Sequence, residues 1–282
     1  MDLAGAETLR FRAAIAKTEA VTDQAALLRS LHVPGSPLVL VNAWDAASAR
    51  VAEAAGAPVV ATTSAGVAWS LGAQDGDALD RDSAVAAVRR VVAAVSVPVT
   101  ADIESGFGDD PAGVAETIRG VVAAGAAGVN LEDSARPVDE MVARLVAARE
   151  AAPRESLFIN ARIDNYLRGN ADLADTVARA EAYLAAGADG IFVPGAIDPA
   201  VVGELVAKIA APVNILVWPG APTVPELAAL GVARVSLGSG VAEAAYAVMR
   251  RAVQETLASG TYASVADAIA YGDLNKLMGR YS

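Results

Sequence analysis

An eightfold alternation of two kinds of segment limits most strongly how this chain can fold. From residue 38 onward, short β-branched runs alternate with alanine-rich amphipathic stretches. This alternation is typical of consecutive βα units, whose strands pair in parallel. In a chain of 282 residues it predicts an α/β fold, one (β/α)8 TIM barrel forming a single domain over residues 1–282. The predicted strands are Leu38–Asn42, Pro58–Thr62, Val97–Asp102, Gly128–Glu132, Leu157–Arg162, Gly190–Val193, Val213–Val217 and Arg234–Leu237.

Composition narrows the possible partners. The formal charge of -11 disfavours nucleic acid and anionic membranes, because their phosphates would be repelled over most of the surface. The absence of cysteine excludes disulfides, thiolate metal sites and a cysteine nucleophile. The sequence has no signal-peptide pattern and no apolar run long enough to span a bilayer, so a cytoplasmic protein is expected.

Repeated glycines orient the barrel. A glycine at the end of a helix can adopt the left-handed conformation that turns the chain into the next strand. Four such positions, which mark the amino-terminal face, are Gly56, Gly125, Gly187 and Gly231. Asp102, Glu132 and Arg162 therefore belong to the opposite, carboxyl-terminal face, where TIM barrels carry their active sites.

The terminal segments lie outside the repeat. Residues 1–37 are expected to form a helix over Thr8–Ala16, then a second segment ending at Pro34–Gly35, which together cover the bottom of the barrel. Tyr262–Ser282 is predicted to add a helical piece after the eighth barrel helix. A helix appended in this way commonly packs on a neighbouring subunit, so a homo-oligomer is expected.

An acidic cluster is the strongest candidate for a chemical site. Asp102 and Glu104 are two residues apart at a predicted strand end, and share one face if the extended geometry continues. Glu132 ends the next strand at the same height. Oxygen ligands without histidine or cysteine suit Mg2+, or Mn2+, better than Zn2+. The alternative is that these acids are solvated loop residues or helix N-caps, as Asp109 and Asp110 before a proline are expected to be.

Other polar residues follow neighbouring strands. Arg162 can bind a substrate carboxylate with two hydrogen bonds, or instead form an ion pair with Asp164 or Glu132. The run over residues 62–66 offers hydroxyl and backbone N–H groups to an anion, or is a turn. Asp75 is either an acid near the metal or a turn residue. His32, the single histidine, precedes the first strand and is expected to be structural or exposed, so a charge-relay hydrolase is not indicated.

The residues described above resemble those of the isocitrate lyase/phosphoenolpyruvate mutase superfamily over residues 37–257. The resemblance implies a TIM barrel that exchanges its eighth helix between subunits of a homodimer or homotetramer, binds Mg2+ and acts on small α-keto or α-hydroxy carboxylic acids. The segments that carry it are Asn42–Arg50, Ser70–Asp75, Asp102–Gly108, Gly128–Asp133 and Asn160–Arg162.

The resemblance also implies roles for individual residues. The metal shell, direct or through water, would be Asp102, Glu104 and Glu132. The residues implied in catalysis are Asp75, Glu132 and Arg162. The residues implied in substrate binding are Trp44, Thr63, Ser64, Ala65, Arg162 and Asn214.

Two departures from the family pattern separate the candidate activities. The lyases carry a loop with lysine and cysteine after the fourth strand, whereas here residues 134–137 lead straight into the next helix. Near Asn214, where the lyases have hydroxyl side chains for a second carboxylate, this chain has Leu216, Val217 and Trp218. The leading hypothesis is a Mg2+-dependent carbon–carbon lyase or decarboxylase acting on an oxaloacetate- or methylisocitrate-like acid. The alternatives are phosphonopyruvate hydrolase or mutase chemistry on a phosphorus–carbon bond, and a catalytically degenerate α-keto acid binder.

Overall fold

A closed ring of parallel strands forms the centre of the molecule, which a computed structural model describes over residues 22–279. The helix predicted at Thr8–Ala16 lies outside the described residues. The strands are β1 (Leu38–Leu40), β2 (Asn42–Ala43), β3 (Val60–Thr62), β4 (Val99–Asp102), β5 (Gly128–Glu132), β6 (Phe158–Arg162), β7 (Gly190–Phe192), β8 (Val213–Leu216) and β9 (Arg234–Ser236).

The strand order confirms the predicted TIM-barrel fold. Strands β2 to β9 pair in sequence order, and β9 also pairs with β1, every pair being parallel. Because only Val41 separates β1 from β2, these two short strands are halves of one barrel strand. The nine strands therefore occupy the eight positions that the sequence predicts.

Helices cover the outside of this ring. They are α1 (22–30), α2 (Ala46–Ala54), α3 (Ser64–Ser70), α4 (Arg81–Ala94), α5 (Pro111–Ala124), α6 (Val138–Ala151), α7 (Leu173–Ala185), α8 (Pro199–Lys208), α9 (Val224–Ala229), α10 (Gly240–Ser259) and α11 (Tyr271–Met278), with a 3-10 turn at Ala263–Val265. The two C-terminal pieces lie within the predicted extra segment. No helix among residues 22–279 is long and apolar enough to cross a membrane.

Local signals in the sequence set where helices begin and end. Asp110 caps α5, accepting a hydrogen bond from the Gly113 amide at 2.8 Å, and Pro111 occupies the first helical position. Gly125 ends the same helix with a φ of 100°. The other three glycines predicted to face the amino-terminal end also have positive φ.

The amino-terminal end of the barrel is closed by a structural cluster. His32 is buried and stacks on Phe158 with ring centroids 4.1 Å apart, which fits the expected structural role and not the exposed alternative. The buried carboxylate of Asp189 forms ion pairs with Arg29, Arg149 and Arg154. These contacts lie at the opposite end from the candidate site.

Candidate active site

Three strand ends bring the predicted acidic and basic side chains to one face of the barrel. Asp102, Glu132 and Arg162 are the last residues of β4, β5 and β6, which are neighbours in the sheet. Glu132 and Arg162 are paired in register, and Arg162 Nη1 lies 2.8 Å from Glu132 Oε2. Arg162 Nε also donates to Asp164 Oδ1 at 2.6 Å. Both ion pairs considered as alternatives for Arg162 are therefore present.

Asp102 is fixed by backbone contacts. Its N–H donates to Thr62 Oγ1 at 2.8 Å, and its Oδ1 accepts from the Glu104 N–H at 3.2 Å. Burial raises the pKa of the Asp102 carboxyl, Arg162 opposes the rise, and Asp75 adds to it. The carboxylate is consequently poorly compensated by the protein alone.

Glu104 does not continue the strand as the alternating pattern assumed. Strand β4 ends at Asp102, and Glu104 has a left-handed φ of 51°. Its Oε2 accepts hydrogen bonds from the backbone N–H groups of Gly76 and Asp77, while its buried Oε1 has no partner among the described residues. Burial raises the pKa of Glu104 to about 7, and the charges of Asp75, Asp77 and Asp102 contribute to the rise.

Glu132 lies between a cation and a hydroxyl. Besides Arg162, its carboxylate accepts a hydrogen bond from Ser134 Oγ at 2.7 Å. Burial raises the pKa of Glu132 to about 7, against the opposing charge of Arg162. Burial alone would lower the pKa of Arg162, but Glu132, Asp164 and Asp102 raise it above its ordinary value. The guanidinium remains a permanent cation in this site.

Backbone strain is concentrated around these carboxylates. Five non-glycine residues of the described part have φ values from 48° to 59°. They are Asp77, Glu104, Phe107, Ser134 and Ala135, all in loops that follow strands or helices at the carboxyl face. Left-handed non-glycine residues cost free energy and cluster at functional sites. Their distribution singles out this face of the barrel.

The carboxylates of the site suit a Mg2+ ion that keeps part of its water shell. Within residues 22–279 no three acidic or histidine side chains converge closely enough to hold a metal by themselves. Mg2+ commonly binds through one or two carboxylates and keeps several waters. The unpartnered Glu104 Oε1 and the raised pKa values of Asp102, Glu104 and Glu132 fit such a partly hydrated ion.

The residues predicted to bind substrate fall into two groups. Thr63, Ser64 and Ala65 are buried at the start of α3, next to Asp102, and half-buried Trp44 packs beside Thr63 across Gly66. Asn214 is buried within β8, where its Nδ2 has no partner among the described residues.

Asp75 lies apart from both groups. It is exposed in the loop after α3, close enough to raise the pKa values of Asp102 and Glu104.

Several polar groups of the site were not anticipated from sequence. The amides that hold Glu104 come from a loop far away in sequence, and the hydroxyl of Ser134 carries no pattern of its own. Arg234 is fully buried inside the barrel. A charged residue within the apolar run Ala233–Leu237 was a signal that could have identified it.

The fold and the carboxyl-face cluster together define a TIM-barrel protein with an acidic site next to an arginine. The family model described as "Phosphoenolpyruvate phosphomutase" matches residues 28–257. The chain therefore belongs to this family, part of the isocitrate lyase/phosphoenolpyruvate mutase superfamily.

Individual relatives agree with this assignment. The uncharacterized protein Rv1998c of Mycobacterium tuberculosis is 42% identical over 214 residues, covering 74% of this chain and 80% of that protein. The 2-methylisocitrate lyase of Escherichia coli is 33% identical over 187 residues, covering 58% of this chain but only 62% of the lyase. A phosphonopyruvate hydrolase solved with oxalate and Mg2+ has a TM-score of 0.78 and 25% identity, covering 93% of this chain and 95% of the hydrolase.

Proposed function

We propose that this protein is a Mg2+-dependent carbon–carbon lyase or decarboxylase that acts on a small α-keto or α-hydroxy carboxylic acid. The observation that carries the proposal is the partly buried arrangement of Asp102, Glu132 and Arg162 on adjacent strands, which supplies anionic oxygens and a cation side by side. Members of the family act on acids of this kind, and one structural relative was solved with both Mg2+ and oxalate.

The metal would be held chiefly by Asp102, with Glu104 and Glu132 contacting it through water. A bound Mg2+ would polarise the carboxylate and adjacent carbonyl of the substrate and stabilise negative charge that develops there. Glu104 Oε1 is the one buried carboxylate oxygen of this set without a hydrogen-bond donor. It is therefore available to a metal-bound water.

The organic acid would be held by groups around this centre. Arg162 would bind its carboxylate, giving up part of its contact with Glu132 or Asp164. The start of α3 offers hydroxyl and N–H groups from Thr63 and Ser64, and Asn214 offers an unpaired amide N–H. Trp44 would border the same pocket. Asp75, being exposed and close to the carboxylates, would be the acid beside the metal.

The short segment after β5 favours decarboxylation. Residues 134–137 connect Glu132 to α6 directly, and contain neither lysine nor cysteine to act as a general acid. In decarboxylation the bond to the leaving carboxylate breaks, CO2 departs, and water can protonate the remaining carbon. A protein acid is therefore not required for this reaction.

The decisive experiment is an assay of oxaloacetate decarboxylation with Mg2+ and with EDTA. We expect turnover only with the metal, and a loss of at least about a hundredfold in Asp102→Asn, which removes a charge from the metal shell. Asp82→Asn, which removes the charge of an exposed aspartate in the first turn of the outer helix α4, is a matched control. Equal turnover in Mg2+ and EDTA would overturn the proposal.

Phosphorus–carbon bond cleavage is the second candidate function, because the structural relative that binds oxalate and Mg2+ is a phosphonopyruvate hydrolase. Asp75 would then lie beside the reacting phosphoryl group. Phosphorus NMR of phosphonopyruvate with the Mg2+-loaded protein tests for cleavage of the phosphorus–carbon bond. An unchanged spectrum would rule this activity out. Tight oxalate binding without turnover of any acid would identify a degenerate binder.

We also propose that the chain forms a homodimer or homotetramer by exchanging α10. Only Ala242 of this 20-residue helix is buried, whereas five residues of the shorter α5 are buried. A large apolar face is thus left uncovered, as is common where another subunit packs. Its large exposed side chains are Tyr246, Val248, Met249, Val253 and Leu257. Assignment of residues 1–282 to one domain, and a cytoplasmic location, remain predictions.

A further inference from the structure

Arg234 crosses the inside of the barrel below the acidic site. It lies on β9, is fully buried, and is paired in register with Asn214 of β8. Its Nη2 donates to Asn130 Oδ1 at 3.1 Å, and the same oxygen accepts from Asn160 Nδ2 at 2.9 Å. Asn130 pairs in register with Asp102, and it precedes Glu132 by two residues on β5. The guanidinium is thus tied to the strand that delivers Glu132.

This buried cation has no carboxylate in contact. None of the ion pairs within the described residues includes Arg234, and its Nε and Nη1 have no hydrogen-bond partner there. The other strongly buried charge clusters are compensated, since Arg162 contacts two carboxylates and Asp189 contacts three arginines. Burial lowers the pKa of Arg234 to about 9, and the charge of Asp102 opposes that shift. Arg234 is therefore still charged at neutral pH, and its charge interacts with that of Asp102.

The charges of the site explain why an unpaired cation would be kept there. Six carboxylates carry this negative charge, and the two arginines that pair with them, Arg162 and Arg168, contact only Glu132 and Asp164. The six are Asp75, Asp77, Asp102, Glu104, Glu132 and Asp164. A divalent cation would still leave the site negative, which opposes the entry of an anion. One further positive charge, placed below the site where no water screens it, reduces this repulsion.

We propose that Arg234 is a positioning and charge-balancing residue that makes this site selective for dianionic substrates, that is, small dicarboxylates such as oxalate or oxaloacetate. It acts through space and through Asn130, without touching the substrate. The inference rests on the proposed Mg2+ site, and it adds a residue that selects the substrate by charge.

The test uses binding and not turnover. Calorimetry would measure Mg2+ alone, and then oxalate and the monoanion glyoxylate on Mg2+-saturated protein, with Arg234→Gln, Arg234→Met and Arg234→Lys. The measurements are made at pH 6, where a buried lysine in place of Arg234 also keeps its charge. In the two uncharged variants we expect oxalate affinity to fall about tenfold or more, the order expected for one charge acting over roughly 10 Å at an effective dielectric constant of about 20. The affinity for glyoxylate should fall less, and the affinity for Mg2+ should stay equal or rise. Arg234→Lys should remain within about threefold of the unmodified protein for all three ligands.

Charge balance predicts that the uncharged variants lose affinity for the anion but not for the cation. A merely structural role predicts that they lose affinity for both. Weaker binding of Mg2+, glyoxylate and oxalate by a common factor in all three variants would overturn the inference. If neither uncharged variant folds, loss of oxalate affinity in Arg234→Lys overturns it and retention supports it. Arg154→Gln, which removes an exposed arginine at the other end of the barrel, should change none of these affinities. Failure of the unmodified protein to bind oxalate with Mg2+ would instead contradict the proposed function.

Discussion

At the scale of single residues, the protonation of two glutamates should control metal binding. The pKa values of Glu104 and Glu132 are raised to about 7, so both are partly protonated at neutral pH without metal. Mg2+ requires the ionised forms and must displace these protons. Its affinity should therefore rise as pH increases from 6 to 8, by up to about tenfold per unit for each proton displaced.

Calorimetry in buffers of different ionisation heat measures this proton release directly. Glu104→Gln removes one of the two carboxyl groups that must lose a proton, so Mg2+ affinity should depend less steeply on pH. Glu116→Gln, which changes an exposed glutamate on α5, should leave the pH dependence of Mg2+ affinity unchanged. Equal Mg2+ affinity at pH 6 and pH 8 would contradict the raised pKa values.

His32 should make the fold sensitive to acid. Burial lowers its pKa to about 3, from an ordinary value of 6.5, so the folded protein keeps it neutral while the unfolded chain protonates it below pH 6.5. The unfolded state then binds more protons, and the free energy of unfolding falls by about 1.4 kcal/mol per pH unit between pH 6.5 and pH 3. This contribution is fully present above pH 6.5.

The measurement is urea unfolding of the unmodified protein and of His32→Gln at pH 7 and pH 4.5. The difference in unfolding free energy between the two proteins should shift in favour of the variant at the lower pH. Carboxylates that titrate in the same range affect both proteins alike. Parallel pH profiles would show that His32 is not held neutral.

At the scale of elements, Gly66 fixes the distance between two parts of the candidate substrate site. A Cβ atom added there would lie 2.8 Å from Thr63 Cγ2 and 2.8 Å from Trp44 Cβ. Gly66→Ala should push the start of α3 away from Trp44, costing about 1–3 kcal/mol of stability and weakening oxalate binding. Thermal unfolding and calorimetry would measure the two effects.

A second helical glycine provides the control. Gly272 of α11 has no atom within 4 Å of an added Cβ. Gly272→Ala should keep oxalate affinity and gain up to about 1 kcal/mol of stability from the higher helix propensity of alanine. The same loss of oxalate affinity in both variants would show that Gly66 does not set the spacing of the substrate site.

At the scale of the whole molecule, the uncovered face of α10 should control assembly. We expect the unmodified protein to run as a dimer or tetramer in size-exclusion chromatography with light scattering. Met249→Glu with Leu257→Glu places two charges on the proposed interface and should lower the mass, because burying an unpaired charge is costly. Val146→Glu on α6 is an exposed apolar control. A monomeric unmodified protein would contradict helix exchange.

The barrel itself was predictable from sequence because its signals are local. Alternating segments gave eight strands within a few residues of their observed ends, and glycines such as Gly125 marked helix ends where only a left-handed residue fits. Strand neighbours in a barrel follow chain order, so Asp102, Glu132 and Arg162 could be assigned to adjacent positions on one face.

The tertiary structure alone decided how the side chains of that face are used. Glu104 departs from the strand pattern because its loop turns left-handed and its carboxylate is held by amides 27 and 28 residues away. Arg234 reaches across the barrel to Asn130, 104 residues away in sequence, and therefore contacts an amide oxygen where a carboxylate would have balanced its charge. Periodicity reports which residues share a face of one element. Charge balance and hydrogen-bond partners depend on contacts across the closed barrel, which no local pattern encodes.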